Sequence, residues 1–343
     1  MNNLLKKLSD MRAISGFEYR ISNELEKLFA GLADDIHTTA LGSVIAVKRC
    51  GKPDAKRIML AAHCDEIGLM VSSIDENGFV KFVNIGGIDT KVLPSSEVVI
   101  HGKEDVYGVI GSKPPHLLPR EDMDKSLGID ALAIDIGYSH DDACKLVNIG
   151  DSITMLSPNS NLKNKQFSGK CLDDRAGVAA MVKCLEYLKK ETLDADVYAV
   201  CTAQEETGLR GAKTAAYEVK ADYAIAVDAT HGITPDNSDN AFEIGGGTAI
   251  GIGPSLNRKM HKKLINLAEE NKIKYQTEVM GGDTGTDAWA IQVSRCGVPT
   301  ALLSIPLKYM HTTVETLSEK DVEATAKLMA LFVKTIGQEG AAL

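Results

Sequence analysis

A chain of 343 residues exceeds the size at which one hydrophobic core stops growing, so two domains, or one domain with an insertion, are expected. Hydrophobic residues make up 44% and charged residues 25% of the chain, which is the usual composition of a globular protein. The net charge of −9 argues against nucleic acid as the main partner, and no apolar run approaches the ~18 residues of a membrane span.

The chain begins with two segments of helical spacing, and a buried strand follows them. Amphipathic helices are predicted over Leu4–Met11 and Tyr19–Phe29, and a first strand over Ser43–Val47. The apolar run Arg57–Ala62 then predicts a second strand. It stops at a cluster of polar residues, His-Cys-Asp-Glu, that begins at position 63.

His63 and Asp65 within this cluster lie two residues apart. On an extended chain their side chains point the same way, so the carboxylate could hold the imidazole from behind while the other ring nitrogen faces a metal. A core histidine beside a surface acid is the alternative interpretation, with about equal weight.

The pattern of apolar and turn-forming residues changes between about Val71 and Leu162. Short β-type runs there are broken every 8–12 residues by Gly, Asp, Asn or Pro, which is typical of a compact β domain. The region has no cluster with metal-ligand spacing. We therefore predict an inserted assembly domain at 71–162 and a discontinuous catalytic domain formed by 1–70 plus 163–343.

Asp173 and Asp174 precede a helical stripe of apolar residues that runs from Val178 to Lys190. An aspartate is preferred at a helix N-cap, so one of the pair has an ordinary structural explanation. Capping requires only one acidic residue, so it does not explain the second aspartate.

Two adjacent carboxylates, Glu205 and Glu206, end the next β-type run, Val197–Ala203. Neighbouring residues at a strand end point in different directions, so the two cannot do the same job. One could hold a cation while the other reaches the space beside it, as metal-assisted hydrolysis requires. Taken alone, a solvated Glu-Glu turn is the commoner explanation.

Two further apolar runs complete the pattern. Tyr223–Val227 stops at Asp228, and Val298–Leu303 leads through a short loop to His311. Strands alternating with helices predict an α/β fold, and ligands in open α/β sheets gather beyond the carboxyl ends of strands. Two histidines with three or four carboxylates suit a pair of borderline divalent ions such as zinc or cobalt, whereas calcium would favour oxygen alone. Such a pair needs a bridging carboxylate, which the Asp173-Asp174 pair would supply.

Six ordered motifs, spread over nearly the whole chain, resemble those of the tetrahedral and glutamyl aminopeptidases, some members of which are also labelled endoglucanase. The motifs are AAHCDEIG, CLDDRAG, QEETGLRGA, AVDAT, GTDAW and PLKYMHTTVE. The resemblance implies a doubly wound mixed sheet with helices on both faces, interrupted by a small β-barrel-like dimerisation domain. It also implies dimers that assemble into a twelve-subunit tetrahedron.

The same resemblance assigns the site residues. It implies that His63 and Asp228 bind one divalent ion, that Glu206 and His311 bind a second, and that Asp173 bridges both. Glu205 would be the general base, acting on a metal-activated water, and Asp65 would support His63. The expected activity is release of N-terminal residues from short peptides, with zinc or cobalt as the metal and manganese also suitable.

Three other functions could use parts of the same sequence pattern. A glycoside hydrolase could use two carboxylates as acid and base, but polysaccharide clefts usually present aromatic platforms, and this chain has 5% aromatics and a single tryptophan, Trp289. A non-catalytic module that kept the fold would be marked by loss of Glu205, which is present. A carboxypeptidase or deacylase that uses the same two metal sites is also compatible with these residues.

Seven cysteines are an odd number, form no CxxC pair, and several lie within apolar runs. This pattern favours reduced thiols in a cytoplasmic protein over a disulfide framework. The N-terminal segment MNNLLKKLSDMRAISG lacks a long apolar core, so neither a signal peptide nor a membrane anchor is predicted.

Overall fold

The computed structural model describes residues 1–117 and 127–338. Its α-helices are α1 (Asn2–Ser9), α2 (Ser22–Phe29), α3 (His140–Leu146), α4 (Leu172–Leu188), α5 (Arg210–Val219), α6 (Arg258–Glu270), α7 (Asp287–Ile291) and α8 (Glu319–Gln338). Its strands are β1 (Asp35–Thr38), β2 (Val44–Lys48), β3 (Lys56–His63), β4 (Gly68–Ile74), β5 (Val80–Ile85), β6 (Glu97–His101), β7 (Asp105–Ser112), β8 (Leu132–Asp135), β9 (Ser152–Met155), β10 (Ser160–Asn161), β11 (Gln166–Gly169), β12 (Ala195–Thr202), β13 (Tyr223–His231), β14 (Thr248–Ile252), β15 (Tyr275–Val279), β16 (Thr300–Lys308) and β17 (Glu315–Ser318).

Eleven of these strands form one mixed sheet in the order β1-β2-β12-β3-β13-β16-β17-β11-β10, with β14 joined to β16 and β15 joined to β14. The four central strands, β12, β3, β13 and β16, run parallel to one another. Buried parallel strands need apolar side chains on both faces, which explains why these runs are almost continuously apolar in the sequence. Their carboxyl ends therefore meet at one edge of the sheet.

Helices cover both faces of this sheet. Along β3, Ile58, Leu60 and Ala62 belong to a core shared with α1, α4, α6 and α8, whereas Met59 and Ala61 face a second core built with α5 and α7. This alternation is the period of two that a strand imposes. The predicted doubly wound α/β fold is confirmed.

A closed six-stranded barrel, in the order β4-β5-β8-β7-β6-β9, interrupts this fold. Strand β4 pairs with both β5 and β9, so the barrel has no free edge. Its interior is a separate apolar core that includes Leu69, Ile100 and Ile153. The predicted barrel-like subdomain is therefore present, and its strands lie between Gly68 and Met155.

The second predicted helix begins later than the spacing suggested. Residues Glu18–Arg20 form a 3₁₀ turn, and α2 starts only at Ser22. The reason is the buried Glu18 side chain, whose Oε1 accepts the backbone N–H of Gly16 at 2.9 Å and that of Gln204 at 2.8 Å. These bonds fix a turn instead of a first helical turn.

A buried ion network joins the N-terminal segment to the centre of the molecule. The guanidinium of Arg175, which is 0% exposed, donates to the backbone oxygens of Cys64 and Leu8 at 3.0 Å each and lies 3.3 Å from Oε1 of Glu66. Lys170 completes the network, with its Nζ 2.7 Å from the other oxygen of Glu66. Although burial opposes it, the attraction of Lys170 and Arg175 lowers the pKa of Glu66.

None of the helices within residues 1–117 and 127–338 combines the length and the apolar character needed to cross a bilayer.

Candidate active site

The parallel strands bring the predicted ligands together. Thr202, the last residue of β12, pairs in register with His63, the last residue of β3, so the turn that carries Glu205 and Glu206 begins beside His63. Strand β13 lies on the other side of β3 and carries Asp228. The two remaining candidates come from outside these strands, Asp173 from the start of α4 and His311 from the loop after β16.

Three overlapping groups of these side chains could hold a metal ion. They are His63 with Glu205 and Glu206, His63 with Asp173 and Asp228, and Asp173 with Glu206 and His311. In each group the ligand atoms all lie within 4.8 Å of one another. All six residues fall in a single cluster, although they come from five separate parts of the chain.

Asp173 lies between the two histidines. Its Oδ1 is 3.2 Å from Nε2 of His63, and its Oδ2 is 3.5 Å from Nε2 of His311. The same nitrogen of His311 is 3.4 Å from Oε1 of Glu206. Each carboxylate oxygen of Asp173 thus faces a different imidazole.

Acidic side chains outnumber basic ones in this cluster. Burial raises the pKa of Asp228 well above its ordinary value, and the neighbouring carboxylates of Asp174 and Asp173 add to the effect. Burial likewise raises the pKa of Glu205. Hydrogen bonds to Asp173 and Glu206 raise the pKa of His311 to about 11. The cluster therefore favours positive charge at its centre.

Asp65 supports the site in a way that differs in detail from the expectation. Its Oδ1 and Oδ2 accept the backbone N–H groups of Glu205 and Glu206 at 3.1 and 3.2 Å. The backbone oxygen of Asp65 lies 3.2 Å from Nδ1 of His63, whereas the carboxylate oxygen Oδ1 of Asp65 lies 3.7 Å from the same nitrogen. The carboxylate thus fixes the Glu205-Glu206 turn, and the backbone carbonyl is the nearer partner of the imidazole.

Two further buried acids lie beside the cluster, and the sequence singled out only one of them, Asp174, as a member of the Asp173-Asp174 pair. Asp174 accepts the N–H of Gly177 at 3.0 Å through Oδ1, and Asp287 accepts the hydroxyl of Thr202. Within the described part of the chain, Asp174 Oδ2 and Asp287 Oδ1 are the buried side-chain oxygens that lack a hydrogen-bond partner. Burial raises the pKa of both carboxyl groups.

Glu315, which is 2% exposed, is the supporting residue that sequence reasoning missed most completely. Its Oε1 accepts the N–H of His311 at 2.9 Å, and its Oε2 accepts the N–H groups of Leu172 at 2.6 Å and Asp173 at 3.2 Å. One carboxylate thus ties together two candidate ligands that lie far apart in the sequence. An acid at the first position of a short strand gives no signal of this role.

Replacing Glu315 by glutamine should therefore weaken metal binding. The amide NH₂ would face backbone N–H groups that now donate to an oxygen, so His311 and Asp173 would lose a shared anchor. Loss of such a supporting hydrogen bond typically costs about 10- to 100-fold in metal affinity. Competition with a chromogenic chelator measures the affinity, and Glu319→Gln, four residues further along, is the control. Unchanged metal affinity in Glu315→Gln would contradict the role.

A cavity of about 290 Å³ opens onto the cluster. Beyond the cluster itself, its lining comes from β13, β15, the loop before α7 and the residue before His311. These lining residues are Ala229, Thr230, His231, Glu278, Met280, Thr284, Gly285, Thr286 and Met310. The loop 282–287 contributes three of them. A small substrate would thus reach the cluster through a partly enclosed space.

Comparison with known proteins identifies the family. The sequence profile of the M42 glutamyl aminopeptidase family matches residues 42–328. The lysyl aminopeptidase of Pyrococcus furiosus is 35% identical over 332 residues, which cover 95% of this chain and 94% of that protein.

Solved structures support the same family. A TET aminopeptidase from a marine sediment archaeon of the Thaumarchaeota has a TM-score of 0.93 and 32% identity, covering 98% of this chain and 97% of the other. The TET1 peptidase of Pyrococcus horikoshii has a TM-score of 0.86 and 35% identity, covering 98% and 99%. The chain belongs to the M42 glutamyl aminopeptidase family and is an aminopeptidase.

Proposed function

We propose that this aminopeptidase binds two divalent ions and releases N-terminal residues from short peptides with Glu205 as its general base. The observation that carries the proposal is the placement of Asp173, whose two carboxylate oxygens face His63 and His311 separately. The donor set fits the ions as well. Two imidazole nitrogens with several buried carboxylates suit borderline divalent metals, and the excess negative charge calls for cations.

The residues would divide as follows. His63 and Asp228 would hold one ion, Glu206 and His311 the other, and Asp173 would contact both. Zinc or cobalt suits this set best, and manganese is also acceptable. Bound there, such ions polarise a carbonyl group and lower the pKa of a water molecule.

Glu205 would move the proton. Its carboxylate shares a group with His63 and Glu206, and Asp65 holds its backbone, so it is placed beside the ligands with a fixed orientation. It would take a proton from the attacking water and return it to the departing amine. Burial raises its pKa, which makes it a stronger base than an exposed glutamate.

The test uses aminoacyl-nitroanilides with the metal-free enzyme refilled by zinc, cobalt or manganese in turn. Free-amine substrates should be cleaved after refilling, and their N-acetylated counterparts should not. Equal cleavage of acetylated substrates would instead indicate a deacylase or carboxypeptidase. Activity on carboxymethyl-cellulose that survives exhaustive chelation would favour a glycoside hydrolase.

For the whole assembly, we propose dimers that form a tetrahedral dodecamer, with residues 71–162 acting as the dimerisation domain and 1–70 plus 163–343 as the catalytic domain. The TET1 peptidase of Pyrococcus horikoshii is described as assembling into a tetrahedron or a large octahedral shell. On the barrel, Tyr107 and Val109 of β7 are 63% and 49% exposed and point to the same side, which supports an interface there.

We also propose that the protein works in the cytoplasm. All seven cysteines are free thiols, and four of them, Cys64, Cys171, Cys184 and Cys201, are buried. Burial raises the pKa of Cys184 and Cys201, so these thiols stay protonated and unreactive. Structural thiols of this kind are typical of reducing compartments.

A further inference from the structure

One wall of the cavity carries a buried carboxylate that the proposed mechanism does not use. Glu278 lies on β15 opposite Gly251 of β14, and it is 8% exposed. Its Oε1 accepts the hydroxyl of Thr230 at 2.5 Å, and its Oε2 accepts the hydroxyl of Ser304 at 2.5 Å. Because Ser304 pairs in register with Asp228, Glu278 approaches the cluster across two strands.

The hydroxyl partners hold this carboxylate in place but do not neutralise it. No lysine or arginine within residues 1–117 and 127–338 forms an ion pair with Glu278 or lines the cavity. Burial raises the pKa of Glu278, whereas its two hydroxyl partners and a charge on the ring of His231, another lining residue, act to lower it. A buried carboxylate without a cation is costly, and a bound cation would relieve that cost.

The rest of the wall suits a long, flexible side chain. Met280 and Met310 line the same cavity, and thioether side chains adapt to unbranched hydrocarbon stems. Lysine and arginine have such stems and end in a cationic group. An acidic side chain would find no lysine or arginine of the described chain in this lining and would be repelled by Glu278.

We propose that Glu278 selects substrates whose N-terminal residue is lysine or arginine, with the stem along Met280 and Met310 and the cationic group at the carboxylate. The inference rests on the proposed function, in which this cavity receives the N-terminal residue.

Lysine and norleucine test it most directly, because their stems match and only lysine is charged. On the metal-loaded enzyme, kcat/KM should be about 10- to 100-fold higher for the lysyl than for the norleucyl coumarinamide, since a hydrogen bond to a charged group is worth about that factor. The glutamyl substrate should be the slowest. A lysyl-to-norleucyl ratio near one, or faster cleavage of the glutamyl substrate, would overturn the proposal.

Glu278→Gln removes the charge and keeps the shape. It should bring the ratio close to one by slowing the lysyl substrate, with norleucyl cleavage nearly unchanged. Glu243→Gln removes the same charge from an exposed side chain and should leave the ratio as it is in the wild type. If Glu278→Gln slows both substrates equally, Glu278 is a structural acid and the proposal is wrong.

Failure of the proposed function has a different result. If the metal-loaded wild type cleaves none of these aminoacyl substrates, the cavity is not a site for N-terminal residues, and both proposals fall. Cleavage of the norleucyl and lysyl substrates at the same rate rejects only the selectivity. A wild-type ratio near one rejects the selectivity even when a variant is poorly folded.

Discussion

Glu205→Gln is expected to lower turnover by about 10²- to 10⁴-fold, which is the usual contribution of a positioned proton transfer. The amide cannot accept a proton from water, but it is nearly identical in shape to the carboxylate. The proposed ligands His63, Asp173, Glu206, Asp228 and His311 are all retained. Metal content should therefore stay near that of the wild type, and KM should change little.

The adjacent variant, Glu206→Gln, should behave in the opposite order. Glu206 lies 3.4 Å from His311 in one of the three candidate metal groups, so a neutral amide there removes an anionic ligand. Metal content should fall first and activity with it, and high metal concentration should partly restore both. Metal analysis by mass spectrometry, together with steady-state kinetics, separates the two variants.

Two results with these variants would contradict the proposed roles of Glu205 and Glu206. If Glu205→Gln loses metal while Glu206→Gln keeps it, the two roles are exchanged. If both variants retain full activity, the two glutamates form a solvated turn, and the di-metal mechanism fails. Only the proposed assignment predicts loss of turnover with full metal content at one position and loss of metal at the next.

Arg175→Met is expected to destabilise the fold by about 3 to 5 kcal/mol, the usual cost of breaking a buried ion pair by removing one partner. The methionine cannot donate to the backbone oxygens of Cys64 and Leu8, which stay buried. Glu66 would keep Lys170 as its cationic partner but lose the guanidinium. Urea denaturation followed by circular dichroism measures the free energy of unfolding.

Lys183→Met is the matched control, since Lys183 lies on the same helix and its Nζ is 2.5 Å from Oε2 of Glu186. This pair is partly exposed, so its loss should cost no more than about 1 kcal/mol. Equal destabilisation by both variants would show that the Arg175 network is no more important than an ion pair at the surface.

Much of the site could be predicted from the sequence, and parallel strands are the reason. Apolar runs that stop at His63, Glu205 and Asp228 belong to β3, β12 and β13, and parallel strands present their carboxyl-terminal parts at the same edge. Strand β3 ends at His63 and β12 ends three residues before Glu205, whereas β13 continues beyond Asp228 to His231. An acid that directly follows a buried strand therefore gives a signal that needs no tertiary contact. The barrel was visible for a similar reason, because short strands separated by turn residues recur along the sequence.

The supporting residues gave no such signal. Glu18 and Glu315 act by accepting backbone N–H groups from segments that are distant in the sequence, and backbone donors are the same in every residue. The carboxylate of Asp65 was expected behind His63, whereas it binds the amides of the next strand's turn. Glu278 faces the cavity only because β14 and β15 add to the side of β16. Such contacts depend on strand order, which local sequence patterns do not encode.

The position of His311 along the chain has a consequence for biosynthesis. His63 leaves the ribosome well before His311 and the Glu315 that anchors it, because both of these residues follow β16 in the sequence. Domains fold as their segments emerge during translation, and strands β3, β12 and β13 can pair before β16 is made. A nascent chain at that stage carries most of the cluster yet has no His311 to complete it. Under the proposed ligand assignment, the metal cluster is complete only after β16 and His311 have been made, so a nascent chain that stops before them should not hold both ions.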